Sequence, residues 1–228
     1  MKTVLLLDTE TTGTDERAVC IEVAAVLYSV QYASVVAAYS SLIRADANPA
    51  EAVNRISPEL VRTGSAAANV WNDVANLAGE AEAIVAHGVE FDRRFVPVDV
   101  YADHRSSIPW ICSMEDLAWP RASSSRGLVA VALAHDVGVE SAHRALADVM
   151  LLARLLTRVR DMGVDLESFL ARGLRPKARF AVADRRFDPA RNEVAHAHGF
   201  RWKAEERAWI RTMAIEDAGS LPFEVERC

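Results

Sequence analysis

A mixed α/β sheet covered by helices on both faces, followed by a small C-terminal α+β module, is the fold this 228-residue sequence predicts. Three observations carry that expectation. Val4-Leu5-Leu6-Leu7 and Ala83-Ile84-Val85-Ala86 are unbroken apolar runs, the mark of strands buried on both faces. Strand-like runs follow one another quickly near the N-terminus and then alternate with helical patterns, the order that builds a mixed sheet. Near Gly173-Leu174-Arg175-Pro176 a glycine and a proline coincide with a change in charge sign, which sets a first domain over residues 1–170 apart from a module over 175–228.

The elements are read in order. Val4 to Leu7 opens the sheet, and Ala18 to Val30 and Val35 to Ile43 add two more strands across short polar breaks, an antiparallel meander. Ser57-Pro58-Glu59-Leu60 starts a helix, with serine as cap and proline in the first turn. Trp71 to Glu80 is a helix, Ala83 to Ala86 a buried strand, and Phe91 to Val96 begins another helical stretch. Ile108 to Met114 adds a strand, Gly127 to Val137 a helix, and Arg144 to Met162 a long helix. In the module, Ala178 to Ala183 is a strand, Pro189 to His198 a helix and Phe200 to Ile210 a hairpin.

Composition narrows the setting. With 51% hydrophobic residues the chain can bury a real core, and no run spans a membrane. The early run Val4 to Leu7 is cut off by Asp8 too soon for a signal-peptide core. Three separated cysteines (Cys20, Cys112, Cys228) give neither a disulfide framework nor a zinc knuckle, and a reduced cytoplasmic setting fits them. His196 and His198 lack a second ligand pair and read as surface residues. The formal charge of −6 is unevenly spread: between Arg172 and Arg211 eleven basic residues face five acidic ones. An acidic body suits cation binding, and a basic region suits a polyanionic partner.

Four carboxylates and one histidine stand at the ends of apolar segments. Asp8 and Glu10 are two apart, so on an extended chain both side chains leave the C-terminal end of the first strand on one side. Ligands of open α/β sheets gather at such ends. Thr11-Thr12-Gly13 then turns the chain and offers hydroxyls and N–H groups to a nucleotide; a polar turn ending a strand is the plainer alternative. His87 ends a buried strand and Asp92 falls in the first turn of the next helix, where a capping carboxylate is also at home. Asp148 shares an apolar stripe with Leu151, Leu152 and Leu155. An inward carboxylate needs a partner, either a metal ion or an unidentified arginine. His143 lies five residues before Asp148, so both face one site only if His143 sits in the loop entering the helix. There it is placed to take a proton from water, and a helix cap or a surface histidine is the alternative. If the fold gathers the four acids, the site binds divalent metal, because clustered carboxylates must be neutralised.

Taken together, Asp8-Thr9-Glu10-Thr11-Thr12-Gly13, Ala86-His87-Gly88 with Phe91-Asp92, and His143-Arg144-Ala145-Leu146-Ala147-Asp148 resemble the motifs of the DEDDh group of 3′–5′ exonucleases, within the ribonuclease-H-like superfamily. The likeness spans about residues 2 to 160, and Pro109 to Met114 with Leu117-Ala118 is similar to the connecting strand of these enzymes. Gly88 departs from the pattern, standing where many members carry asparagine. The resemblance implies a ribonuclease-H-like mixed sheet and makes Asp8, Glu10, Asp92 and Asp148 the ligands of two Mg²⁺ or Mn²⁺ ions, with His143 as general base. It implies hydrolysis from a 3′ end, DNA favoured, with release of nucleoside 5′-monophosphates. Thr9, Thr11, Thr12 and His87 would touch the terminal nucleotide.

Arg201-Trp202 and Arg207-Ala208-Trp209 interleave aromatics with arginines on the expected hairpin. That pattern suits single-stranded nucleic acid, so Arg201 and Trp202 are candidate contacts, although a module this small also needs its tryptophans for a core. DNA or RNA 3′ ends, single-stranded, are the expected partners; a second copy of the chain or a polymerase is a further candidate. A polymerase-associated proofreading subunit is one rival reading, but the only glutamine is Gln31, so a glutamine-led clamp-binding tail motif is missing. An exoribonuclease is another, because contacts to a ribose 2′-OH are not legible in sequence. A catalytically dead binding module fits poorly, since all five chemical positions are intact.

Overall fold

The computed structural model describes residues 1–102, 107–140, 143–184, 186 and 188–228. Arg185, one of the basic residues counted above, lies outside that set. The chain divides into two compact units, Met1–Gly173 and Leu174–Cys228.

The first unit is built on five strands, β1 (Thr3–Thr11), β2 (Cys20–Ser29), β3 (Ser34–Leu42), β4 (Ile84–Ala86) and β5 (Trp110–Cys112), in the spatial order β3-β2-β1-β4-β5. β1, β2 and β3 form the expected antiparallel meander, while β4 and β5 join parallel to β1. Helical segments α1 (Glu51–Asn54), α2 (Pro58–Arg62), α3 (Ala67–Ala78), α4 (Val89–Asp92), α5 (Val98–Tyr101), α6 (Leu128–Ala134), α7 (Ala145–Asp161) and α8 (Leu166–Ala171) complete it. Ser57 caps α2 as expected, its hydroxyl accepting the Leu60 N–H, with Pro58 at the first helical position.

The apolar runs become a sheet buried on both faces because successive side chains alternate. Val4 and Leu6 of β1 share one core with Val26, Val85 and the α7 residues Leu151, Leu152 and Leu155. Leu5 and Leu7 point the other way, into a second core with Val23, Ile84 and the α3 residues Val70 and Val74. Each core leucine excluded from water contributes about 2 kcal/mol. Among the described residues, no helix is long and apolar enough to cross a membrane.

Two features of this sheet locate the site. Asp8 and Glu10 follow Leu6 on the face that meets α7. β4 pairs with β1 only at Leu5 and Leu6, so beyond Leu6 the β4 side of β1 is left without a strand partner. The central strand therefore projects past its parallel neighbour, and Asp8 and Glu10 stand on the projecting C-terminal end.

The second unit holds β6 (Lys177–Val182), α9 (Pro189–Ala197), β7 (Arg201–Lys203), β8 (Ala208–Ala214) and β9 (Val225–Arg227), with the antiparallel sheet order β7-β8-β6-β9. Asp188 caps α9 by accepting the Ala190 and Arg191 N–H groups. Phe180, Val182, Ala195, Phe200 and Met213 make its core, with Trp209 packed against it.

Candidate active site

Asp8 and Glu10 leave the end of β1 on the α7 face, and Asp148 meets them from the first turn of α7. One carboxylate oxygen from each of the three lies within 4.8 Å of the others. Burial and mutual repulsion together raise the pKa values of these acids. Burial, then the charges of Asp92, Asp148 and Glu10, push the Asp8 carboxyl well above its usual range. Glu10 is pushed up to about 7, first by burial and then by Asp148 and Glu22, with the Arg144 guanidinium acting against the shift. Asp148 is raised by burial, against the His143 N–H that it accepts. An all-oxygen donor set this short of positive charge fits a hard divalent cation.

Asp92 approaches differently. It is 3% exposed, and its Oδ1 accepts both the Thr9 N–H at 3.0 Å and the Thr9 hydroxyl at 2.9 Å. It thus fills the hydrogen-bonding edge that β4 leaves open beyond Leu6. Burial pushes Asp92 up to about 6, and the two Thr9 bonds oppose the rise. Asp92 lies outside the group of three whose oxygens converge, yet its charge is the first to act on Asp8.

His143 occupies the loop position that the five-residue spacing requires, just before α7 begins at Ala145. It is exposed, its backbone is left-handed with φ +64°, and its N–H donates to Asp148 Oδ2 at 3.1 Å. Its ring makes no hydrogen bond among the described residues.

The expected nucleotide contacts separate into engaged and open groups. Thr9 is 5% exposed and spends both N–H and hydroxyl on Asp92, so it positions a carboxylate and does not face a nucleotide. The Thr11 hydroxyl donates to the Gly13 carbonyl, and the Thr12 hydroxyl accepts the Val19 N–H. Both ring nitrogens of His87 are also used. A carbonyl only accepts, so Nε2–H donates to the Arg126 carbonyl and the neutral Nδ1 accepts from the Ser113 hydroxyl, each at 2.8 Å. Burial and the nearby Arg126 charge lower the His87 pKa and keep it in that neutral form. In the second unit Arg201 is exposed and Trp202 is 51% exposed, its ring 6.1 Å from that of Trp209. Trp209 serves the core, as the competing sequence argument required; Trp202 stays at the surface.

Sequence reasoning passed over Glu22. It stands on β2 in register with Glu10, is 4% exposed, and forks with Arg144 across the site. The available signal was a lone acid inside the apolar stretch Cys20 to Val30, where a buried charge demands a partner.

Residues 5–156 match the family model described as Exonuclease. The chain belongs to that exonuclease family. Solved exonuclease structures share its fold, one of them described as a DEDDh family member. It is similar to exonuclease X, described in complex with 5′ overhanging duplex DNA, at 26% identity over 75% of this chain and 99% of that one, with a TM-score of 0.55. E. coli exonuclease I, described with a dT13 oligonucleotide, is 17% identical over 81% of this chain and 49% of that one, with a TM-score of 0.60. The nuclease domain of 3′hExo, described as a DEDDh family member bound to rAMP, is 14% identical over 72% of this chain and 94% of that one, with a TM-score of 0.55. The chain spans 41% to 52% of the exonuclease I chains it matches. Residues 188–228 match a second model, described as a domain of unknown function. Comparison with curated proteins gives no match. This exonuclease-family chain thus carries a carboxylate cluster that suits divalent metal.

Proposed function

We propose that the chain is a metal-dependent 3′–5′ exonuclease that shortens single-stranded 3′ ends, DNA in preference to RNA, and releases nucleoside 5′-monophosphates. The observation that carries this reading is the convergence of Asp8, Glu10 and Asp148 beside the open imidazole of His143. Asp8, Glu10 and Asp148, with Asp92 at their edge, would hold two Mg²⁺ or Mn²⁺ ions. Divalent ions held there supply counter-charge for the acids and electrophilic activation of the phosphodiester. His143 takes the proton from the attacking water as its oxygen adds to phosphorus. The P–O3′ bond breaks, the departing 3′-oxygen takes a proton from solvent to become the hydroxyl of the shortened strand, and the phosphate leaves on the released nucleotide. Base catalysis of this kind is worth about 10²- to 10⁴-fold.

The direction is supported by the 3′-exonuclease neighbours, and the DNA preference by exonuclease X and exonuclease I, both described with DNA. An exoribonuclease is the second reading, favoured by a 14%-identical 3′-exonuclease described with a histone mRNA stem-loop.

The hairpin of β7 and β8 adds substrate contacts in this reading. Among the described residues Arg175, Arg179, Arg186 and Arg191 are tied to Asp217, Glu206 and Asp184. Arg201, Lys203 and Arg207 are exposed and have no ionic partner there. With half-exposed Trp202 among them, they suit the phosphates and bases of a single strand.

Digestion of one oligonucleotide labelled at its 5′ end or its 3′ end tests the assignment. A 3′–5′ enzyme turns the 5′ label into a descending ladder and releases the 3′ label at once as a mononucleotide. Internal cuts, or immediate release of the 5′ label, refute it. Parallel DNA and RNA substrates decide the second reading.

A further inference from the structure

The peptide that carries His143 is fixed at both ends by carboxylates from different elements. On one side the His143 N–H donates to Asp148 Oδ2 at 3.1 Å. On the other, the Ala145 N–H donates to Glu22 Oε2 at 3.1 Å. Between them the Arg144 guanidinium grips the same Glu22: Nη2 donates to Oε1 at 2.6 Å, and Nε reaches Oε2 at 2.9 Å and Oε1 at 3.2 Å. Arg144 is the residue before α7 and supplies no side-chain cap to that helix, so the Glu22 carboxylate caps the helix from a neighbouring strand.

We propose that Glu22 is a positioning residue, which acts through Arg144 and the Ala145 N–H to hold His143 beside the carboxylate cluster. Three observations support this. First, Glu22 is 4% exposed, and both its oxygens are spent on Arg144 and Ala145, which excludes it as another cation ligand. Second, the Arg144 side chain is 41% exposed while Glu22 is buried, and a part-exposed ion pair adds little to stability, so folding alone does not call for it here. Third, His143 is left-handed at φ +64°, a strain that a non-glycine residue holds only where its surroundings over-determine it. The two flanking N–H bonds and the guanidinium fork are those surroundings. Strand β2 lies in register with β1, Glu22 opposite Glu10, so the fork ties the loop to the strand pair that carries Asp8 and Glu10.

The inference rests on His143 as the base, and the experiment separates the two ideas. Turnover, KM and Mn²⁺ affinity are measured on the full chain for wild type, Glu22→Gln, Glu22→Leu with Arg144→Leu, and each of these combined with His143→Ala. Thermal melts accompany every variant. The paired leucine variant leaves no charge unpaired and so preserves the fold if Glu22→Gln does not. The expected result is a kcat about 10- to 100-fold lower in both, with KM and Mn²⁺ affinity within about twofold of wild type, as for other residues that orient a functional side chain. In the His143→Ala background neither change lowers kcat further, because residues acting through one another are non-additive. Wild-type kcat in the folded paired leucine variant overturns the proposal, as does an equal further loss in the His143→Ala background. A loss that follows Mn²⁺ affinity also overturns it. Wild-type turnover in His143→Ala alone refutes the base assignment, which is a different failure.

Discussion

Removing divalent metal makes the protein less stable as pH rises, and Glu10 sets a measurable part of that loss. Its carboxyl is pushed from 4.5 up to about 7, so the folded state binds this proton more tightly than the unfolded chain does. The sign follows from proton linkage. Below pH 4.5 both states are protonated and the group is neutral in effect; between 4.5 and 7 folding must hold a proton that solvent is taking away. Above about 7 the whole penalty applies. The full shift corresponds to about 3 kcal/mol, and solvent screening of this half-buried group reduces it to about 2 kcal/mol. In a domain of this size that is a melting shift of about 4–8 °C. Melts in chelator at steps from pH 5 to 8 measure it for wild type and Glu10→Gln. The difference between the two proteins should be small at pH 5 and reach about 2 kcal/mol in favour of Glu10→Gln at pH 8. Mg²⁺ or Mn²⁺ should restore wild type more at pH 8 than at pH 5, because a cation displaces the protons. A wild-type minus Glu10→Gln difference that stays flat across this range would refute the electrostatic account of the cluster.

The hairpin and the Asp92 anchor give two further outcomes. Replacing Arg201, Lys203 and Arg207 together by alanine should lower the slope of log affinity against log salt by about 2 on single strands, about 0.7 for each lost contact, with cleavage of very short oligonucleotides unchanged. Equilibrium binding at several salt concentrations checks it. Thr9→Val keeps the N–H bond to Asp92 but removes the hydroxyl from its Oδ1. It should cost about 1–2 kcal/mol in a denaturant melt and reduce turnover with short and long substrates alike.

Much of this was written in the chain. Val4 to Leu7 and Ala83 to Ala86 announced strands buried on both faces, and both hold that position between the α7 and α3 cores. The two-residue spacing of Asp8 and Glu10 and the five-residue spacing of His143 and Asp148 anticipated that three acids converge and that His143 sits in the loop before the helix, because strand and helix periods are local properties. Partnerships were harder. That Thr9 serves Asp92, and that His87 has no free ring nitrogen, depends on where β4 stops relative to β1 and on which carbonyl lies opposite the imidazole. Glu22 was hidden for the same reason: its partner Arg144 is 122 residues away, and only the packing of α7 on β2 brings them together. The stretch from Arg172 to Arg211 was read by its excess of basic residues, yet several of its arginines neutralise acids within their own unit.

The central claim is that Asp8, Glu10 and Asp148 form a divalent-cation site on which phosphodiester cleavage depends. Its most direct test is cleavage of an end-labelled oligonucleotide by metal-free protein as Mg²⁺ or Mn²⁺ is added, alongside Mn²⁺ binding to wild type and Asp8→Ala. The account predicts no cleavage in chelator, recovery that follows occupancy of the wild-type site, and neither binding nor cleavage in folded Asp8→Ala. Full cleavage in chelator, or wild-type cleavage by Asp8→Ala, would contradict it.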